Sequence, residues 1–146
     1  MAARPDDHEL STALRHAGSP EWSVRAAAGR RLAGAERIED LADVLHGLLL
    51  DGRDTAVVQE TATALLERGD TAGLRCVLRA RHLVEADDVA DELGAALGGD
   101  PQWLTTEGAD RLVARLHELA ADPDPGVGDE AHRILARLRP REQWAT

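Results

Sequence analysis

The sequence contains no lysine, asparagine, phenylalanine or tyrosine, and it has a single cysteine, Cys76. The lack of lysine excludes a phosphate-binding loop of the lysine-dependent kind and a Schiff-base mechanism. With one cysteine, no intramolecular disulfide can form. Trp22, Trp103 and Trp144 are the only tryptophans, so the core has to be filled by leucine, valine and alanine.

Alanine and leucine favour helices, whereas strands are enriched in β-branched and aromatic residues. Apolar residues make up 43% of the 146 residues, which is enough to bury a core. No shift in composition divides the chain into parts. We therefore predict a single all-α domain that spans residues 1–146.

The longest apolar runs, such as residues 48–50, are much shorter than a membrane span, and the start of the chain lacks the apolar stretch of a signal peptide. We therefore expect a cytoplasmic protein with no membrane partner. All 17 basic residues are arginine, which we interpret as the codon bias of a GC-rich bacterial genome. The net charge of −10 repels nucleic acid, so such a partner would need a local basic patch.

A pattern recurs four times along the sequence. A valine is followed after four residues by a small or apolar residue and after eight by a leucine, which places all three on one stripe of a helix. The valines recur after 33, 32 and 38 residues, and a turn signal precedes each of them. The four occurrences are Val24, Ala28 and Leu32; Val57, Thr61 and Leu65; Val89, Leu93 and Leu97; and Val127, Ala131 and Leu135.

A second apolar helical pattern precedes each turn, so the sequence predicts four helical hairpins that bury their stripes by stacking. We place eight helices near residues 6–17, 22–34, 37–50, 55–68, 71–84, 87–97, 106–121 and 126–139. The predicted repeats cover approximately residues 6–35, 36–69, 70–99 and 100–140. Residues 98–105, which begin with Gly-Gly-Asp-Pro, account for the longer last step.

The segments 24–28 and 122–127 resemble the inter-helix turn and second helix of HEAT repeats. The resemblance implies a right-handed α–α superhelix, an α-solenoid of about four hairpins, in which the second helices line a concave binding face. It also implies a ladder of Asp–Arg pairs between neighbouring repeats. Only Arg25 keeps the basic position after the valine, so we expect this ladder to be largely absent. An irregular four-hairpin bundle is the structural alternative.

The sequence shows no catalytic pattern. The serines lie at turns and helix starts, and no nucleophile motif surrounds them. The six histidines lack the H-x-x-x-H and H-E-x-x-H spacings that metal sites use. Cys76 lies in an apolar helical pattern, which is typical of a buried structural cysteine. We predict no enzymatic activity, no metal and no cofactor.

The resemblance implies that binding residues lie on the second helix of each hairpin. The positions two and three residues after each valine point away from the apolar stripe, so we expect them to be exposed. In the last three repeats they form a predicted acidic ridge, which consists of Gln59, Glu60, Asp91, Glu92, Asp129 and Glu130. Secondary contacts to a partner are predicted at Trp22, Arg25, Arg30, Arg133 and Arg137.

We interpret the protein as a non-enzymatic protein-interaction module, an adaptor, regulator or immunity-type binder, whose ridge attracts a basic partner. A competing interpretation is that the ridge acids only compensate helix dipoles. The alternatives for the whole protein are a nucleic-acid-binding or alkylpurine DNA glycosylase-like protein and a purely structural repeat module. The glycosylase-like alternative needs a basic channel with aromatic side chains. Its candidate contacts are Trp22, Arg25, Arg30, Arg31, Arg133, Arg137, Arg139, Arg141 and Trp144.

Overall fold

The computed structural model describes the backbone of residues 5–145 and the side chains of residues 5–138. Within that range the chain forms helices and no strand, so the all-α prediction is confirmed. The α-helices are α1 (Asp7–His16), α2 (Trp22–Ala33), α3 (Ala42–Leu49), α4 (Thr55–Glu67), α5 (Thr71–Leu83), α6 (Asp87–Gly98), α7 (Thr106–Ala120) and α8 (Pro125–Ala145). Two short 3₁₀ helices, Ile38–Leu41 and Pro101–Leu104, precede α3 and α7.

Several helices begin where a side chain caps the free backbone amides of the first turn. The carboxylate of Asp6 accepts a hydrogen bond from Glu9 N, and Asp70 and Thr105 cap α5 and α7 in the same way. The predicted start of the third helix, residue 37, is wrong because the chain first forms a 3₁₀ turn there, and α3 begins only at Ala42. No helix of the described residues is long and apolar enough to cross a membrane.

The repeated valines occupy equivalent positions in their helices. Each is the third residue of its helix, in α2, α4, α6 and α8 respectively: Val24, Val57, Val89 and Val127. The last three are buried and the first is half-buried. Of the residues four and eight positions later, only Leu97 and Leu135 are half-buried and the others are buried. The pattern therefore marks the buried stripe of each second helix.

The second helices of the first three hairpins lie in one row, because α4 packs along α2 on one side and along α6 on the other. The first helices α3 and α5 also pack against each other. The last hairpin departs from this arrangement. Helix α8 packs against α7 and α5, and it faces α6 across a cavity. The row of second helices therefore ends at α6.

An ordered connection separates α6 from α7. Asp100 accepts a hydrogen bond from Gln102 N at 3.0 Å, which caps the 3₁₀ turn, and the Trp103 indole donates to the carbonyl of Leu97 at 2.9 Å. These bonds hold the turn against the end of α6. Residues 98–105, which lengthen the last interval between the valines, thus include a hydrogen-bonded 3₁₀ turn between α6 and α7.

Candidate binding groove between α4 and α6

Helices α4 and α6 border a surface groove of about 390 Å³. Gln59 and Glu67 line it from α4, Glu92 lines it from α6, and Asp100 lines it from the turn that follows α6. Leucine and alanine side chains of the two helices supply an apolar part of the lining. The groove therefore combines apolar surface with three carboxylates and one amide.

Two of these carboxylates are unpaired. Within the described part of the chain, the side chains of Glu67 and Glu92 have no hydrogen-bond or ion-pair partner. Glu67 is the last residue of α4, where the helix dipole disfavours negative charge. Glu92 lies beyond the first turn of α6, where the dipole effect has fallen off. Dipole compensation, the competing interpretation of the acids, therefore explains neither residue.

Asp100 differs from the two glutamates because its charge is held inside the fold. It is buried, and besides the amide of Gln102 its other oxygen accepts a hydrogen bond from Gln102 Nε2 at 3.3 Å. Asp100 therefore shapes the end of α6 and adds to the negative potential of the groove, but both of its oxygens are already engaged.

The predicted acidic ridge does not form one exposed surface. Glu130 is only 3% exposed, so its predicted exposure is wrong. Its carboxylate lies 3.4 Å from Arg81 Nε of α5 and accepts a hydrogen bond from Arg133 Nη1 at 2.9 Å. The physical reason is the packing of α8 on α5, which turns this face of α8 inward. The equivalent position in α2, Ala27, is exposed.

The remaining ridge residues have different surroundings. Gln59 and Glu92 come together at the groove. Glu60 accepts a hydrogen bond from Arg30 of α2, which joins the two helices at the surface. Asp91 and Asp129 are exposed, and Asp129 lies on α8, outside the row of second helices.

Arg25 is not available to a partner, because it is only 2% exposed. Its predicted role as a contact residue is therefore wrong. Its Nε donates to Asp51 Oδ2 at 2.7 Å, and Asp51 Oδ1 accepts from the backbone amides of Arg53 and Asp54. Burial works against ionisation of Asp51, yet the hydrogen bonds from Arg25 and from these amides lower the pKa of its carboxyl below the usual value.

A second Asp–Arg pair stands outside the sequence pattern. Arg75 of α5 donates from Nε to Asp122 Oδ2 at 2.8 Å, in the turn before α8. The hydrogen bond from Arg75, opposed by partial burial, lowers the pKa of the Asp122 carboxyl. The repeated pattern does not predict this pair, because Arg75 lies on a first helix, whereas the basic position after the repeated valine lies on a second helix.

Those of the other basic and aromatic candidates whose side chains the structure describes do not gather into one channel. Arg31 pairs with Glu9 of α1, and Trp22 is exposed at the start of α2. Arg133 pairs with Glu130, and Arg137 lines a separate cavity at the other end of the molecule. The side chains of Arg139, Arg141 and Trp144 lie outside the described residues.

Cys76 and His46 lie near each other beside Arg79. Burial raises the pKa of the Cys76 thiol. Burial and the charge of Arg79 lower the pKa of the His46 imidazole. Both shifts favour neutral side chains, and a thiol with a raised pKa is a poor nucleophile. The described residues contain no cluster of His, Cys, Asp or Glu that could hold a metal ion.

Comparisons of the chain with family models, with curated proteins and with solved structures find no match. The function of the chain therefore has to be inferred from the chemistry of the groove.

Proposed function

We propose that the protein is a non-enzymatic binding module that holds an arginine- or lysine-bearing segment of a partner protein in the groove between α4 and α6. The observation that carries the proposal is the pair of unpaired carboxylates, Glu67 and Glu92, on opposite sides of the groove. A guanidinium or ammonium group of the partner at either carboxylate would gain charge-assisted hydrogen bonds.

The rest of the lining suits the same occupant. Leu66, Ala95 and Ala96 offer apolar surface, on which the methylene stems of arginine and lysine pack well. The amide of Gln59 can accept from or donate to a peptide backbone. The net charge of −10 raises the rate at which a basic partner approaches.

The HEAT-like stack of hairpins belongs to this proposal. The side-by-side second helices α2, α4 and α6 and the equivalent positions of the four valines support it. In such a stack the second helices provide the binding face. Because α8 leaves the row, the proposed binding surface is limited to α4 and α6 and does not include Asp129 or Glu130.

The test compares two variants with the same change in net charge. Glu67→Arg with Glu92→Arg alters the groove, whereas Glu85→Arg with Asp110→Arg alters exposed acids elsewhere that have no partner among the described residues. The probe is a labelled peptide of alternating arginine and alanine, and its binding is followed by fluorescence anisotropy at low and at physiological salt.

We expect the groove variant to bind the peptide at least about tenfold more weakly than the control variant, because its charges act at contact distance. Equal losses in both variants would mean that only the net charge attracts the peptide, and the proposal would be wrong. Retention of the wild-type protein on a DNA column at physiological salt would instead favour the nucleic-acid alternative.

A further inference from the structure

A second cavity lies where α5, α6, α7 and α8 meet, and its volume is about 180 Å³. Its lining is mostly apolar and includes Leu74, Leu97, Trp103, Leu112, Leu116 and Ile134. An apolar cavity of about 150 Å³ is large enough for a benzene ring. This space therefore suits one aromatic ring or a short acyl chain, and it is too small for a drug-sized ligand.

The cavity exists because α8 leaves the row of second helices and α6 does not fill the gap. Gly94 and Gly98 line it from α6 without side chains. A Cβ atom at Gly94 would lie 3.4 Å from Arg81 Nη1, and a Cβ atom at Gly98 would meet nothing within 4 Å. The cavity is partly open to the surface, where Gly98 and Arg137 are exposed, so a small ligand can reach it from solvent.

Two arginines and one acid line the cavity. Arg81 is held by Glu130, whose other oxygen accepts from Arg133. The acid, Asp100, has both oxygens engaged by Gln102. Arg137 is exposed and has no ion-pair partner among the described residues. Among the side chains of residues 5–138, the guanidinium of Arg137 is therefore the charge at this cavity that no carboxylate balances.

We propose that the cavity binds a small apolar carboxylate, with its ring or acyl chain against the leucines and its carboxylate on Arg137. Guanidinium and carboxylate groups match in geometry and form paired, charge-assisted hydrogen bonds. The apolar body would fill the space between α6 and α8. The cavity and the groove share Asp100 in their linings, but both of its oxygens are engaged by Gln102 and neither proposed contact uses it, so either proposal can fail while the other stands.

The test uses isothermal titration calorimetry with three probes: benzoate, hexanoate and the neutral analogue benzyl alcohol. We expect benzoate to bind at least about tenfold more tightly than benzyl alcohol, because only benzoate engages Arg137. In Arg137→Gln this preference disappears, while the affinity for benzyl alcohol stays the same. Arg111→Gln is the matched control, because Arg111 is exposed on α7 and does not line the cavity; it keeps the preference.

A filling variant tests the location of the site. Ile134 is half-buried and lines the cavity, so Ile134→Trp adds bulk there without replacing a fully buried side chain. We expect it to lose binding of both acids while its helical circular dichroism is unchanged. If the three probes fail to bind at millimolar concentration, or if benzoate binds Ile134→Trp and Arg137→Gln as it binds the wild type, the proposal is overturned.

Discussion

The two ends of the molecule use the same kind of ion pair in different ways. Near the N-terminus, Arg25 comes from a second helix and pairs with Asp51 in the next turn, and their side chains are only 3% and 6% exposed. Near the C-terminus, Arg75 comes from a first helix, and it is 41% exposed while Asp122 is 9% exposed. Both aspartates occupy the turn before a second helix. The local sequence thus determines where the helix begins, but the packing of α8 on α5 determines which arginine the aspartate meets.

Removal of the aspartate from the buried ion pair should destabilise the protein more than any other change considered below. Asp51→Ala leaves Arg25 as a buried charge without its carboxylate, so we expect the free energy of unfolding to fall by about 3–5 kcal/mol. Urea denaturation followed by circular dichroism measures it. A loss below about 1 kcal/mol would show that the pair behaves like a surface pair.

Truncation of two of the repeated leucines compares the packing of the apolar core at α4 and at α6. Leu65 of α4 is fully buried, whereas Leu97 of α6 is half-buried beside the cavity. We expect Leu65→Ala to cost about 2–5 kcal/mol, and Leu97→Ala to cost clearly less because less apolar surface is lost. Equal losses in the same denaturation experiment would mean that the packing at α6 is as tight as at α4.

The unfolding free energies of the wild type and of Asp51→Ala should depend differently on pH. Because the folded protein lowers the pKa of Asp51, its contribution to stability is complete above the ordinary carboxyl pKa, about 4, and is lost as the pH falls towards the lowered value. We therefore expect the unfolding free energy of Asp51→Ala to fall less steeply than that of the wild type below about pH 4. Parallel curves for the two proteins would contradict the lowered pKa.

The smallest effect belongs to the partly exposed pair. A double-mutant cycle with Arg75→Gln and Asp122→Ala should give a coupling energy of about 1 kcal/mol or less, since the Arg75 side chain is 41% exposed and water screens its charge. We expect the coupling to weaken further in high salt. A coupling as large as that of the buried pair would contradict the distinction between the two ends.

Much of the local structure could be predicted from the sequence, because helix starts and buried stripes depend on neighbouring residues. The recurring valines mark the third position of four helices, and most predicted helix bounds lie within a residue or two of those observed. The burial of Arg25 and Glu130 could not be predicted in this way, because it depends on which helix packs against which. The repeated pattern predicts one buried face of α8, but it does not predict that α5 packs against α8.

The candidate site was only partly predictable for the same reason. Gln59 and Glu92 belong to the repeated pattern and meet at the groove, whereas Glu67 lies outside the pattern and was missed. One signal could have found it: an acidic residue at the end of a predicted helix, where the helix dipole makes it unfavourable. The helix itself does not account for an acidic residue at this position.

The most direct test of the groove is nuclear magnetic resonance of the isotopically labelled protein during titration with the arginine–alanine peptide. We expect chemical-shift changes concentrated at the amides of Gln59, Thr63, Glu92 and Ala95, which line the groove, and no changes along α8. Changes centred on α8, or spread evenly over the acidic surface, would contradict the proposed binding at the groove.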